Sequence, residues 1–77
     1  MDEAEIRATL EAALGDCEIQ LQSEGNKLML LVTAAAFDGL NRVKRQQLVY
    51  RSLGDRIESG EIHAVSMRCL TPEEAAQ

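Results

Sequence analysis

The chain has 77 residues, an apolar fraction of 45%, a charged fraction of 27% and a net charge of −5 at neutral pH. This length supports one domain with a small core, so we treat residues 1–77 as a single domain. The longest apolar stretch, residues 28–36, is too short to cross a bilayer, and the acidic N-terminus is unlike a signal peptide. Two cysteines without CxxC spacing make a poor zinc site. We expect a cytoplasmic protein that does not span a membrane.

The first part of the chain predicts a helix followed by a β-hairpin. Asp2 has the position of a helix N-cap, and Gly15 predicts the end of that helix. The apolar residues of this helix are expected on one face: Ile6, Leu10, Ala13 and Leu14. Residues 17–22 alternate between apolar and polar side chains, which predicts a half-buried strand. Residues 23–26 predict the turn, and residues 27–34, apolar on both faces, predict a central strand.

The second part predicts one or two helices, a third strand and a short final helix. Asn41 is a good N-cap for a helix that begins at Arg42, with a break near residues 52–54. The apolar stripe of this region is expected to comprise Val43, Tyr50, Leu53 and Ile57. Residues 62–68 alternate as a strand, and Thr71 followed by proline predicts the start of the final helix.

This order predicts an α/β (α+β) fold with a three-stranded mixed sheet and its helices on one face. The first two strands form the hairpin, and the long link to the third strand permits a parallel crossover. Because the starts of parallel neighbours lie together, we expect His63 to lie near Asn26 and Lys27. The hairpin tip and the one histidine of the chain would then share one end of the sheet.

Four residues are expected to pack in the core. Phe37 and Tyr50 are the only aromatic residues, and we expect both to anchor it. Cys17 and Cys69 lie at alternating strand positions and are expected to pack as small hydrophobes.

A basic segment interrupts this acidic chain. Residues 42–56 carry five basic side chains against one acidic side chain. Such a helix face is most often simply solvated, but it could also steer an acidic partner or contact nucleic-acid phosphates. The candidate nucleic-acid contacts are Arg42, Lys44, Arg45, Gln46, Gln47 and Arg51. No Gly-x-x-Gly loop accompanies them.

Three segments together resemble the BolA family. Residues 37–50 read Phe-Asp-Gly-Leu-Asn-Arg-Val-Lys-Arg-Gln-Gln-Leu-Val-Tyr, residues 62–66 read Ile-His-Ala-Val-Ser, and residues 71–74 read Thr-Pro-Glu-Glu. The resemblance is closest to the acid-stress branch of that family. It implies an αββ–helix–β fold similar to class II KH domains, which agrees with the order derived above.

The resemblance also implies a function. BolA-like proteins pair with monothiol glutaredoxins, and a [2Fe–2S] cluster can be held across the interface. The histidine of the Ile-His-Ala motif, here His63, is then a ligand, beside a glutaredoxin cysteine, a glutathione thiol and often a loop residue. The isolated chain would carry no cofactor. DNA, bound in stress-response transcription regulation, and a second copy of the chain are the other candidate partners.

This sequence departs from the family pattern in two places. Family members usually carry a Cys or His between the first two strands, but residues 23–27 contain neither. Many members also carry a Trp after the Thr-Pro-x-Glu motif, where this chain has Ala75. The first departure leaves the source of a second cluster ligand open.

No arrangement typical of an enzyme is present. Ser52 and Ser66 have no candidate base besides the lone His63, and neither paired carboxylates nor a phosphate-binding glycine loop can be recognised. Taken alone, a single histidine at a strand end is more often structural or solvent-facing than a ligand. We expect a binding protein without catalytic activity.

Overall fold

The computed structural model describes all 77 residues. The elements in chain order are α1 (Glu3–Leu14), β1 (Cys17–Glu24), β2 (Lys27–Ala34), a 3₁₀ turn (Ala35–Phe37), α2 (Arg42–Ser52), α3 (Gly54–Glu58), β3 (Ala64–Leu70) and α4 (Pro72–Ala75). None of the helices is both long enough and apolar enough to span a membrane.

The three strands form one mixed sheet in the order β1-β2-β3. β1 and β2 are antiparallel, with Cys17 opposite Ala34 and Glu24 opposite Lys27. β2 and β3 are parallel, with Lys27 beside Ala64. The predicted fold class and strand order are therefore confirmed.

Helix α1 forms as the sequence predicts, with one error. The Asp2 side chain accepts a hydrogen bond from the Glu5 amide at 3.2 Å, and Gly15 ends the helix at φ 73°. Ile6, Leu10 and Leu14 are buried against the sheet. Ala13 is exposed, because the buried face is centred on the other three apolar positions.

The hairpin turn is tighter than predicted. β1 continues to Glu24, so only Gly25 and Asn26 connect the two strands. Gly25 has a φ of 61°, which a residue with a side chain seldom adopts. β3 begins later than predicted, at Ala64, and Ile62 is buried just before the strand.

The core lies between the sheet and helices α1 and α2. It contains twelve buried apolar residues, among them Phe37, Val49 and Leu53, which are fully inaccessible. Phe37 anchors the core as predicted. Cys17 and Cys69 are half-buried against this cluster.

The predicted apolar stripe on α2 was wrong at two positions. Val43 is 59% exposed and Tyr50 is 42% exposed. Leu53 is fully buried and Ile57 is half-buried against the core, as predicted. Val49, one turn before Leu53, occupies the inward face in place of Tyr50. Successive helical residues are rotated by about 100°, so Tyr50 is turned away from the sheet when Val49 faces it.

Candidate functional site

The candidate site is the end of the sheet where His63 meets the hairpin tip. The His63 amide donates to the Asn26 carbonyl oxygen at 2.7 Å, and the Ala64 amide donates to the same oxygen at 3.4 Å. The parallel pairing of Lys27 with Ala64 continues this contact into the sheet. The predicted proximity of His63 to Asn26 and Lys27 is present, and it is fixed by backbone hydrogen bonds.

The His63 side chain is exposed and has no hydrogen bond or ion pair within the chain. Its backbone is held firmly, whereas its ring nitrogens have no internal partner. A polar side chain of this kind does not contribute to the core. It is available to a metal ion or to a group on another molecule.

The chain places no second histidine and no cysteine at this end of the sheet. Gly25 and Asn26 form the tip, and Glu24 and Lys27 flank it. No group of three or more His, Cys, Asp or Glu side chains could hold a metal ion. This end of the sheet therefore offers one imidazole and no second His or Cys side chain.

Both cysteines lie far from His63. Cys17 pairs with Ala34, eight residues along β2 from Asn26, which corresponds to about 25 Å. Cys69 lies near the opposite end of β3, about 17 Å along the strand from Ala64. Burial raises the pKa of each thiol, with Glu11 contributing further to the rise at Cys17. Neither cysteine substitutes for the missing loop ligand.

The second set of candidate residues lies on α2, which contains no acidic side chain. Arg42, Lys44, Gln47 and Arg51 are exposed, and Gln46 is half-buried. The cations at Arg42 and Lys44 lie in the first turn, where the positive end of the helix dipole disfavours them. The helix therefore keeps these charges at a cost to its own stability.

Arg45 differs from its neighbours because its guanidinium is bound within the chain. Its Nε donates to the Leu40 carbonyl oxygen at 2.8 Å, and its Nη1 donates to the Cys69 carbonyl oxygen at 3.2 Å. It also forms an ion pair with Glu74, and its side chain is only 14% exposed. Arg45 connects α2, β3 and α4, so it is not free to contact a phosphate.

Thr71 and Glu74 complete this network at the start of α4. The Thr71 hydroxyl accepts from the Glu74 amide at 3.2 Å, and a Glu74 carboxylate oxygen accepts from the Thr71 amide at 2.8 Å. The hydrogen bonds from Arg45 and then from the Thr71 amide lower the pKa of Glu74 to about 2. This four-residue helix is thereby fastened to the rest of the fold.

Sequence reasoning missed the outward position of Val43 and Tyr50 on α2. The sequence contains a signal for it, because Val49 lies one turn before the predicted core residue Leu53 and offers a second apolar face. Both outward residues lie among exposed cations, so the outer face of α2 is apolar as well as basic.

Comparisons with known proteins find matches along nearly the whole chain. A family model described as BolA-like protein matches residues 4–74. Acid stress protein IbaG of Escherichia coli strain K12 is 38% identical over 77 residues, covering 100% of this chain and 92% of that relative. BolA-like protein 1 of Mus musculus is 29% identical over 80 aligned positions, covering 91% of this chain and 58% of that relative.

Two solved structures have the same fold. The BolA domain of SufE1 from Arabidopsis thaliana has a TM-score of 0.86 and 30% identity, covering 96% of this chain and 98% of that one. A bolA protein homologue from Coxiella burnetii has a TM-score of 0.85 and 27% identity, covering 100% and 99%. These likenesses extend over the whole sheet and its helices.

Proposed function

The chain belongs to the BolA-like protein family, and we propose that it is a non-enzymatic partner of a monothiol glutaredoxin. In this role it serves iron–sulfur cluster assembly or trafficking, or iron regulation, and His63 is one ligand of a shared [2Fe–2S] cluster. One observation carries the proposal: the His63 ring is exposed and unpaired, while its backbone is hydrogen-bonded to Asn26. The likeness to an acid stress protein supports a role in stress response.

The chemistry of an imidazole ligand suits a transferred or regulatory cluster. Replacing a thiolate on one iron with a neutral imidazole removes negative charge and raises the reduction potential, as in Rieske centres. His63 would supply that nitrogen from a fixed backbone position. The chain's own contribution is to place the ring and to leave it free of internal hydrogen bonds.

The hairpin tip limits how many ligands this chain contributes. Gly25 and Asn26 offer no thiolate or imidazole, and both cysteines lie at the other end of the sheet. The remaining ligands then come from the glutaredoxin and from glutathione. A cluster held in this way depends on the partner for its retention.

The proposal is tested by mixing the chain with a monothiol glutaredoxin, ferrous iron, sulfide and glutathione under anaerobic conditions. The mixture should develop a visible absorption and circular dichroism spectrum that differs from that of the glutaredoxin alone. His63→Ala should abolish this difference. Asn26→Ala is the matched control, because Asn26 contributes its backbone carbonyl and should leave the spectrum unchanged. An identical spectrum and stability for the His63→Ala mixture would refute the ligand assignment.

DNA binding is the second candidate, and the exposed cations of α2 favour it. Arg42, Lys44 and Arg51 have no ion-pair partner within the chain, so each could contact a phosphate. Duplex DNA should then bind with an affinity that falls steeply with salt and drops in Arg42→Ala and Lys44→Ala. Fluorescence anisotropy at low salt measures this, and undetectable binding would end the candidate.

A further inference from the structure

The outer face of α2 carries exposed apolar side chains beside cations that have no partner within the chain. Val43 and Tyr50, two helical turns apart, are 59% and 42% exposed. Lys44 and Arg51 lie beside them, also two turns apart, and neither cation has an acidic partner within the chain. Exposed apolar groups beside unpaired cations make a face that a surface with apolar and acidic groups would complement.

Helix α1 offers a surface of matching chemistry in the same layer. It packs beside α2 on the helical side of the sheet, and its outer face is also exposed. Glu5 and Glu11 flank that face, while Ala4, Ala8 and Ala12 between them leave room for larger side chains. A Glu5 carboxylate oxygen lies 3.8 Å from Nη2 of Arg56, a loose contact that leaves the Glu5 side chain 66% exposed.

We propose that the helix layer is a self-association surface, in which the outer face of α2 docks on the outer face of α1 in a second copy of the chain. Val43 and Tyr50 cover the small side chains of α1, and Lys44 and Arg51 meet its acidic side chains. A two-fold axis between the helices repeats the same contact, since α1 and α2 are neighbours in each copy.

A second copy fits this surface better than a nucleic acid does. Phosphates gain nothing from Val43, and a nucleic acid lying across the layer would meet Glu5 and Glu11 of the adjacent helix. Arg45, which could have extended a phosphate-binding row, is bound to Glu74. The self-association surface goes beyond the proposed function and includes neither His63 nor the hairpin tip, so the two proposals can fail separately.

The test is sedimentation equilibrium of the whole chain at increasing concentrations, up to about 1 mM, in low and high salt. A monomer–dimer equilibrium should appear at about 0.01 M salt and weaken at about 1 M salt, where charges are screened beyond about 3 Å. The basic-face variant Lys44→Glu with Arg51→Glu should weaken association about tenfold or more. The acidic-face variant Glu5→Lys with Glu11→Lys should do the same.

Mixing the two variants provides the decisive measurement. Each variant alone repels itself, but a pair formed from one of each restores opposite charges at both contacts, so the mixture should dimerise. The matched control, Lys27→Glu with Arg68→Glu, changes the net charge equally outside the helix layer and should leave association intact. A wild-type chain that stays monomeric throughout, a mixture that stays monomeric, or equal weakening by the control would each overturn the proposal. Binding of duplex DNA by a strictly monomeric chain would assign the face to nucleic acid instead.

Discussion

Arg45 and Glu74 lie 29 positions apart in the sequence and form a two-point ion pair. Nη1 of Arg45 donates to Oε1 of Glu74 at 2.6 Å, and Nη2 donates to Oε2 at 3.3 Å. Bidentate guanidinium–carboxylate pairs are fixed in geometry as well as charge. This pair holds α4 against α2 and the end of β3, so the final helix depends on a contact across the fold.

The Arg45–Glu74 pair predicts an acid-dependent loss of stability. The folded-state pKa of Glu74 is about 2, below its ordinary value of 4.5, because Arg45 and the Thr71 amide hydrogen-bond to the carboxylate. A depressed pKa contributes stability that is fully present above pH 4.5 and is lost as the pH falls towards 2. Glu74→Gln should therefore lower the free energy of unfolding at pH 7 and make no further difference near pH 2.

Urea unfolding at several pH values measures this effect. Glu73→Gln, an exposed neighbour on the same helix, is the control and should change little at any pH. A Glu74→Gln variant whose deficit stays constant from pH 7 to pH 2 would show that the carboxylate charge is not responsible.

Thr71 is predicted to stabilise α4 through its hydroxyl. Its side chain is 7% exposed and caps the helix by accepting from the Glu74 amide. Thr71→Ala should cost about 1 kcal/mol, the usual cost of losing an N-cap. Thr71→Ser retains the hydroxyl and should recover most of that loss. Thermal denaturation followed by circular dichroism distinguishes the two, and equal losses would assign the effect to the methyl group.

Truncation of the two aromatic residues should cost very different amounts of stability. Phe37 is fully buried, so Phe37→Ala should cost about 3–5 kcal/mol, enough to unfold much of so small a domain. Tyr50 is 42% exposed, so Tyr50→Ala should cost about 1 kcal/mol or less at concentrations where the chain is monomeric. Chemical denaturation of both variants tests this difference. Equal losses in the free energy of unfolding would show that Tyr50 contributes to the core as much as Phe37 does.

Local sequence patterns predicted most of the fold, because each pattern marks where a single helix or strand begins or ends. Asp2, Asn41 and Thr71 marked three helix starts, and Gly15 marked a helix end. The link between β2 and β3 is long enough for a parallel crossover, and a parallel crossover predicts His63 beside Asn26.

What failed was the choice between competing positions that only packing decides. Val43 and Tyr50 share helical spacing with Leu53, which is buried as predicted, but Val49 has that spacing too and takes the inward position. Arg45 lay among candidate phosphate contacts because the sequence does not reveal that Glu74 lies within reach of its guanidinium. These contacts join residues that are distant in the sequence, so patterns within one element do not predict them.

His63 is predicted to be dispensable for folding. Its ring is exposed and unpaired, and only its backbone amide bonds to Asn26. His63→Ala should therefore change the free energy of unfolding by no more than about 0.5 kcal/mol. Urea unfolding of the isolated chain measures this. A larger loss would show that the ring is needed for folding. Loss of the cluster in His63→Ala would then no longer identify the ring as a ligand.

The most direct test of the central claim uses the fact that the chain has one histidine. Histidine labelled with ¹⁵N marks His63 alone when the labelled chain is combined with unlabelled glutaredoxin, glutathione, iron and sulfide. Pulsed electron paramagnetic resonance of the reduced complex should then show a strong coupling from a ¹⁵N nucleus bound to iron, in place of the ¹⁴N coupling seen without the label. A spectrum that is the same with and without the label would contradict ligation of the cluster by His63.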